Sequence, residues 1–533
     1  MSIVRRVGWL RLSRHGFEAG AFALGPLIGA VVALSAGQET SWDFRNHHWY
    51  NAYSLLSWRY DRDVAVAHHA TYNNPLLDVP YFLAGNALPP TATLVLLGAV
   101  EGLNFSLLYL IARSLFAGFD PLPSRLAALA TAALGFLGGM SFLLIATTYY
   151  DNLVSLLVLA ALLELLKLRE SEPGGRRAPL AHGARAGLLI GAASALKLTA
   201  APFAIGILAA ALALRSGARG KVLLLASLAA GAAASFLVIG GPWMLHLWHA
   251  TGNPLFPYFN NLLGSPLLPP GTYQDAKFIP QSAWRVVAFP FLFVADPRQT
   301  SDALFPDYKV LIAYCVLLAS APLLCLRHRA ERPWTDGDAL RILVAFSAAS
   351  YVLWLAVFAI YRYIVVLEML APLIVVAAIG RWPLGARLRL AICLVLAGAA
   401  LAGTTLSFGD RTPPGSKLVE VGVPPIRSPA RTLAILTGLQ PVGFLIPSFP
   451  PEVSFVRIDG FLTSAAAPSL LRSEALARIT AHQGDLFVLY DAGEAVQMRA
   501  ALAAASLAPL EESCRTVTNN LMGSDEWCRV ERR

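Results

Sequence analysis

The chain has 533 residues, of which 56% are apolar and only 14% charged, with a mean hydropathy of +0.57. Soluble domains carry about 25% charged residues, so a single soluble globular protein and a disordered chain are both excluded, and apolar runs near the ~20 residues that cross a bilayer point to a polytopic membrane protein. The formal net charge of +9 is no nucleic-acid footprint: residues 1–407 carry 30 Lys/Arg against 20 Asp/Glu and residues 408–533 carry 12 against 13, with the excess in short loops between apolar spans.

About eleven spans are expected, at roughly 19–36, 92–113, 125–146, 152–168, 184–197, 200–215, 221–240, 309–326, 341–360, 364–380 and 388–407. With the N-terminus inside, the inner loops gather the basic clusters, Arg5, Arg6, Arg11, Arg14, Arg176, Arg177, Arg327, Arg329 and Arg332. The tail then falls outside. Glu18 and the length of the first span favour a retained helix over a cleaved signal. The Ala, Leu and Arg richness suits a GC-rich bacterium. The expected location is therefore a bacterial inner membrane, multi-pass, with a cytoplasmic N-terminus and a periplasmic tail.

The first outer loop, 37–90, is rich in Trp, Tyr, His and Asn. On an α-helix, Asp43, His47, Tyr50 and Asn51 share one face at i, i+4, i+7 and i+8. Trp42, Trp49, Tyr53 and Trp58 suit a lipid–water boundary. This reads as a helix on the outer membrane surface with a polar face toward a cavity. Asp43 there can accept a proton from an attacking alcohol; its structural alternative is a helix cap. Asp61, Asp63, His68, His69, Asn74 and Asp78 follow. They hold sugar hydroxyls, make structural hydrogen bonds, or bind a divalent ion through Asp and His, although adjacent His pairs do not face one site and no zinc spacing occurs.

Further along, Asp151 opens the fourth span, as a cap or as a second acid beside Asp43. Lys197 lies at a break between two spans and Arg362 at an outer helix end. Ionisable groups so placed usually mark a site, and Arg362 suits bidentate phosphate binding while Lys197 supplies a point charge. The alternative is snorkelling to headgroups. Glu368 and Glu101 lie within spans, with structural partners expected. The second outer loop, 241–308, offers His246, Asn253 and several aromatics to sugar rings, and Trp284–Val294 reads as a partly embedded outer helix.

The tail 408–533 reads as a small α/β domain with a partly parallel sheet. Strands are expected at Val442–Ile446, Val453–Ile458 and Asp485–Tyr490, and helices at Leu470–His482 and Glu494–Ala505. Cys315, Cys325 and Cys393 lie in spans and read as buried apolar residues. Cys514 and Cys528, in an exported tail, are expected to form a disulfide. No nucleotide fingerprint or Walker A motif is present.

Trp42-Asp43-Phe44 after the first span, Tyr149-Tyr150-Asp151-Asn152 after the third, the Lys197-Leu198-Thr199 break and the outer tail together resemble a GT-C glycosyltransferase, a polytopic enzyme that uses polyprenyl-phosphate sugars. The resemblance implies a catalytic module over 1–407 and a periplasmic domain over 408–533. Asp43 would be the base or acceptor-orienting group, and Arg362 with Lys197 would hold the donor phosphate. A hydroxyl of a glycan, lipid or protein acceptor would attack the anomeric carbon, with polyprenyl phosphate leaving and the anomer inverted. The frequent diacid after the first span is missing, because Phe44 follows Asp43. A polysaccharide polymerase or ligase with a lipid diphosphate donor, a lipid or glycan transporter, and a non-catalytic scaffold are the competing readings.

Overall fold

The computed structural model describes residues 14–116, 118–119, 121–170, 176–301, 305–325, 333–521 and 523–533. Arg5, Arg6, Arg11, Arg327, Arg329 and Arg332 lie outside the described residues, as do the side chains of Arg14 and Cys325. The Ala- and Leu-rich runs form helices, as their propensities favour, and one stands at each expected span position, from Arg14–Ala36 to Ala386–Ala402. Five are long and apolar enough to cross a membrane: Gly16–Ala36, Pro90–Leu115, Ala218–Thr251, Gly337–Val357 and Tyr361–Ile379. That set is compatible with a multi-pass membrane protein.

Small residues set the helix packing. Gly25 and Gly29 face Gly98 and Gly102 so closely that a Cβ on any of them would overlap a backbone carbonyl across the interface. Gly183, Gly187 and Gly191 likewise meet the backbone of Ala218–Thr251. Such close approach trades side-chain volume for backbone contact, the usual route to helix association in lipid.

Two expected spans have different ends. The 125–146 span is a helix, Pro121–Phe136, followed by a break and a short helix, Gly139–Leu143. Carboxylates distant in sequence hold that break: Asp307 accepts from Gly139 N at 2.8 Å, and Glu368 from Met140 N at 3.2 Å and Ser141 N at 2.8 Å. Glu101 similarly accepts from Ala146 N at 2.6 Å. The 221–240 span continues through Pro242 to Thr251, so His246 lies on a helix rather than in a loop. Its end is set by Gly252 at φ 80°, a conformation glycine adopts without a Cβ clash.

The strands are β1 Gln38–Glu39, in loop 37–90, and in the tail β2 Arg411–Thr412, β3 Val421–Gly422, β4 Thr432–Leu436, β5 Ser454–Arg457, β6 Asp485–Asp491, β7 Leu507–Pro509, β8 Arg515–Asn519 and β9 Asp525–Arg532. The main sheet runs β3-β8-β9-β6-β4-β5, with β7 on β9. β4 is parallel to β5 and β6, and the other pairs are antiparallel, so the sheet is partly parallel as expected. Helices Leu470–Ala481 and Ala495–Ala503 stand where expected. Val442–Ile446 is not a strand. It lies mostly in a 3₁₀ turn, Gly443–Ser448, because Gly443 packs flat on the Asn46 carbonyl and Pro447 cannot donate to a ladder.

Loop 37–90 docks on the tail. β1 pairs with β2, and Val64 bridges Val456. Phe44, Trp49 and Tyr50 share one core with Phe444, Phe449, Phe455 and Trp527. Trp49, expected at the lipid boundary, is therefore buried, whereas Trp58 is 66% exposed. Loop 37–90 and the tail form one packed unit rather than two separate ones.

Cys514 and Cys528 form the expected disulfide, tying the start of β8 to β9. Cross-links that close short loops contribute about 2–4 kcal/mol. Cys514→Ser is expected to lower tail stability by about that amount in denaturant titrations without reductant. Wild type and variant should coincide once reductant is present.

Candidate active site

Asp43 precedes a π-helical turn, Phe44–His48, that runs into the helix Trp49–Leu56. The π-turn takes an extra residue per turn, so the expected shared face is broken. Tyr50 and Asn51 turn inward: Tyr50 donates to Asp63 at 3.0 Å, and Asn51 to the Ala70 carbonyl at 2.9 Å. Both hold the loop. Asp43 stays at the open side, beside His47 and His48.

Three other chain segments meet it there. Arg362, on the 3₁₀ turn Tyr361–Ile364, donates to Asp43 Oδ2 at 2.9 Å and lies 3.6 Å from Asp151 Oδ2. Asp151 opens the helix Asp151–Arg169, just after Tyr150 at φ 61°. A bulky residue in the left-handed region is strained, and such strain persists where the surroundings enforce it. Lys197 ends the helix Arg177–Leu196 in an extended conformation. Its Nζ donates to Asp151 Oδ1 and to the Tyr149 carbonyl, both at 2.7 Å. Arg362 also lies over the Tyr149 ring at 4.2 Å and the Tyr363 ring at 5.3 Å, a cation–π cradle that fixes the guanidinium.

Asp43, Asp151, Lys197 and Arg362 thus form one continuous ion network at the end of the helix bundle that carries the tail. A small pocket opens beside it, lined by Asp151, Ser155, Lys197, Thr199, Phe203 and Tyr363. The space it encloses is about 10 Å³, room for a water rather than for a ligand. A wider cleft between the loop and the tail sheet, lined by Trp58, Asp61, Ser454, Arg478 and His482, contains none of the four.

Burial alone would raise the Asp43 carboxyl, but Arg362, with its hydrogen bond, and the neighbouring histidines hold it well below the usual carboxylate range. Burial drives the imidazoles of His47 and His48 down to about 3, aided at His47 by His48 and at His48 by Lys197 and Arg362. Burial also pushes Asp78 up. His48 Nδ1 lies 2.7 Å from Asp78 Oδ1. At that distance one proton lies between the two.

Of the remaining expected site residues, Asn74 donates to the Ala195 carbonyl at 3.1 Å and caps the turn that follows it, tying the loop to the segment that presents Lys197. His246 packs among Tyr60, Trp58 and Trp243. Asn253 is fully buried, and its amide bonds the Tyr258 carbonyl and Asn260. His246 and Asn253 are not brought to the ion network. The one cluster among the described residues with three mutually close metal-type ligand atoms is Cys514, Glu526 and Cys528, and two of these are the disulfide. The acids and histidines of loop 37–90 do not gather in that way among the described residues. The aromatic cradle of Tyr149 and Tyr363 carried no site expectation, and Asp78 was expected only among the polar residues of loop 37–90, not as a partner of His48. The visible signal for them was only their proximity to acids and to Arg362 in sequence.

No family model, curated protein or solved structure matches the chain.

Proposed function

We propose that the chain is a membrane glycosyltransferase of about eleven spans, in a bacterial inner membrane, with its N-terminus cytoplasmic and its tail periplasmic. It moves a sugar from a polyprenyl-phosphate donor to a hydroxyl of a glycan, lipid or protein acceptor. The observation that carries this reading is the convergence of Arg362 and Lys197 with Asp43 and Asp151 in one ion network. Without donor, each cation is matched by a carboxylate. An incoming phosphate competes with Asp43 for Arg362, which can bind it bidentately. Asp43, released, accepts a hydrogen bond from the acceptor hydroxyl and orients it toward the anomeric carbon. Arg362 and Lys197 stabilise the charge that grows on the departing phosphate. A lipid-borne donor also accounts for a membrane body with no nucleotide motif.

The transporter reading draws on one observation, the buried Asp307–Lys309 pair at 2.9 Å near the broken helix at Gly138, a placement transporters use. The carboxylates there are engaged by backbone amides, Lys309 and Thr404, which favours a structural role.

The test uses full-length protein in lipid with a panel of radiolabelled polyprenyl-phosphate sugars. Arg362→Ala is expected to weaken donor binding about tenfold or more, the cost of one charge-assisted contact. Asp43→Asn should keep donor binding and lose about 100-fold in transfer. If the wild type binds no donor, the glycosyltransferase reading is wrong, and counterflow of labelled lipid or glycan into vesicles tests transport.

A further inference from the structure

The glycosyl-transfer reading leaves open where the proton of the acceptor hydroxyl goes. Asp43 favours its charged form at rest, paired with Arg362 at 2.9 Å, and once phosphate takes Arg362 it is occupied in orienting the acceptor hydroxyl. Beside it stands a group better placed for the proton. His48 ends the π-turn that begins after Asp43. Its Nδ1 is fixed by Asp78 at 2.7 Å, and Asp78 is itself 4% exposed at the start of the helix Asp78–Ala87. The ring packs edge-on against Tyr150 at 5.1 Å and lies 3.9 Å from the ring of His47. The other ring nitrogen, Nε2, has no hydrogen-bond partner among the described residues, and the imidazole retains 12% exposure. A carboxylate orients an imidazole from behind while its free nitrogen faces accessible space, the arrangement of a base and its orienter.

We propose that His48, oriented by Asp78, is the base that takes the proton of the acceptor hydroxyl during transfer. This rests on the glycosyl-transfer reading and adds a catalytic residue to it. With the shared proton on Nδ1 and Asp78 holding the negative charge, Nε2 presents its lone pair. The acceptor oxygen forms its bond to the anomeric carbon as its proton passes to Nε2. The bond from that carbon to the phosphate oxygen breaks, and polyprenyl phosphate leaves with the electron pair. The imidazolium formed is stabilised by the carboxylate of Asp78, whose burial makes it a strong partner for that charge, and it then returns its proton to water. The groups that face His48 are Asp43 and His47 from its own turn, Asp78 from the following helix, Tyr150 and Asp151 from the start of Asp151–Arg169, Lys197 from its break and Arg362 from its 3₁₀ turn. Burial first, and then the two cations, hold the imidazole neutral at rest, the form a base requires.

The test is donor binding, transfer rate and pH profile for full-length wild type, His48→Gln, His48→Ala and Asp78→Asn in lipid, with polyprenyl-phosphate sugars as donor probes. His48→Gln is expected to lose about 100-fold or more in transfer with donor binding within twofold. Transfer by wild type should decline on an acidic limb that His48→Gln lacks. Added imidazole should restore part of the activity of His48→Ala, a response that lost packing alone does not give. Asp78→Asn should lower transfer and move the acidic limb. Transfer by His48→Gln within threefold of wild type, on the same acidic limb, overturns the assignment and leaves the glycosyltransferase standing. Loss of activity without imidazole rescue, in variants that still bind donor, overturns it as well. A wild type that binds no donor overturns the underlying reading and this assignment together.

Discussion

Arg59→Ala is expected to destabilise the loop–tail unit by about 3–5 kcal/mol, the usual cost of leaving one member of a buried ion pair alone. Arg59 donates to Asp63 through Nε at 2.7 Å and Nη2 at 2.8 Å, with both side chains 3% exposed or less. It also donates to the Pro451 carbonyl at 2.6 Å and the Val453 carbonyl at 2.5 Å. Asp63 in turn accepts from Phe455 N at 3.0 Å. One guanidinium thus joins the loop to the strand β5 and to the turn before it. Without it Asp63 keeps Tyr50 and the Phe455 amide but loses its only nearby opposite charge among the described residues. Burial already pushes the Asp63 carboxyl up, although Arg59 restrains it, so in the variant it escapes charge by taking a proton. The penalty should therefore shrink as pH falls. Asp63→Asn added to Arg59→Ala should recover part of the loss by the same logic. Denaturant titration followed by tryptophan fluorescence of the full-length protein in lipid measures all three. A penalty under 1 kcal/mol would mean that the loop is held by its apolar core alone.

The dependence of this docking on distant residues marks where sequence reading stops. Helix positions were legible because apolar runs of bilayer length have few other fates. The ends of those helices were not. The break at Gly138 is held by Asp307 and Glu368, and no local pattern announces partners so far along the chain. In the tail, the runs around Val456 and Val488 read as strands because they are short and apolar, and both are. The equally apolar run at Val442 became a 3₁₀ turn through a backbone contact with Asn46. Asp43, Asp151, Lys197 and Arg362 stood out because charges at helix ends are rare in so apolar a chain, and the structure brings all four together. Tyr50, Asn51 and Asn253 were chosen for residue type and an assumed α-helical or loop setting. The π-turn and the buried setting of Asn253 gave their polar atoms to the protein itself. The same π-turn leaves Asp43 near both His47 and His48, whose rings lie 3.9 Å apart.

Asp525→Asn is expected to stabilise the tail relative to wild type at neutral pH and to lose that advantage in acid. Asp525 opens β9 and sits directly across the ladder from Asp491 on β6, and like charges facing each other across strands are destabilising. It is 2% exposed and accepts one hydrogen bond, from Asn519 Nδ2 at 3.0 Å. Burial and the Asp491 charge raise its carboxyl from the ordinary 3.8 to about 7, against the pull of Arg45. The folded protein therefore holds a proton there that the unfolded chain releases above pH about 4. Stability from this group is complete below that pH and declines as pH rises toward 7, on the order of 4 kcal/mol over the whole window. Asparagine carries no titration and can still accept from Asn519. The stability difference, variant minus wild type, should thus grow with pH between 4.5 and 7.5, by about 3 kcal/mol or more on the same scale. Because the comparison is between two chains that share every other titrating group, the buried histidines and carboxylates elsewhere cancel. A difference that stays flat across that range would show that Arg45 keeps Asp525 ionised in the fold, and that the β6–β9 edge tolerates two facing carboxylates.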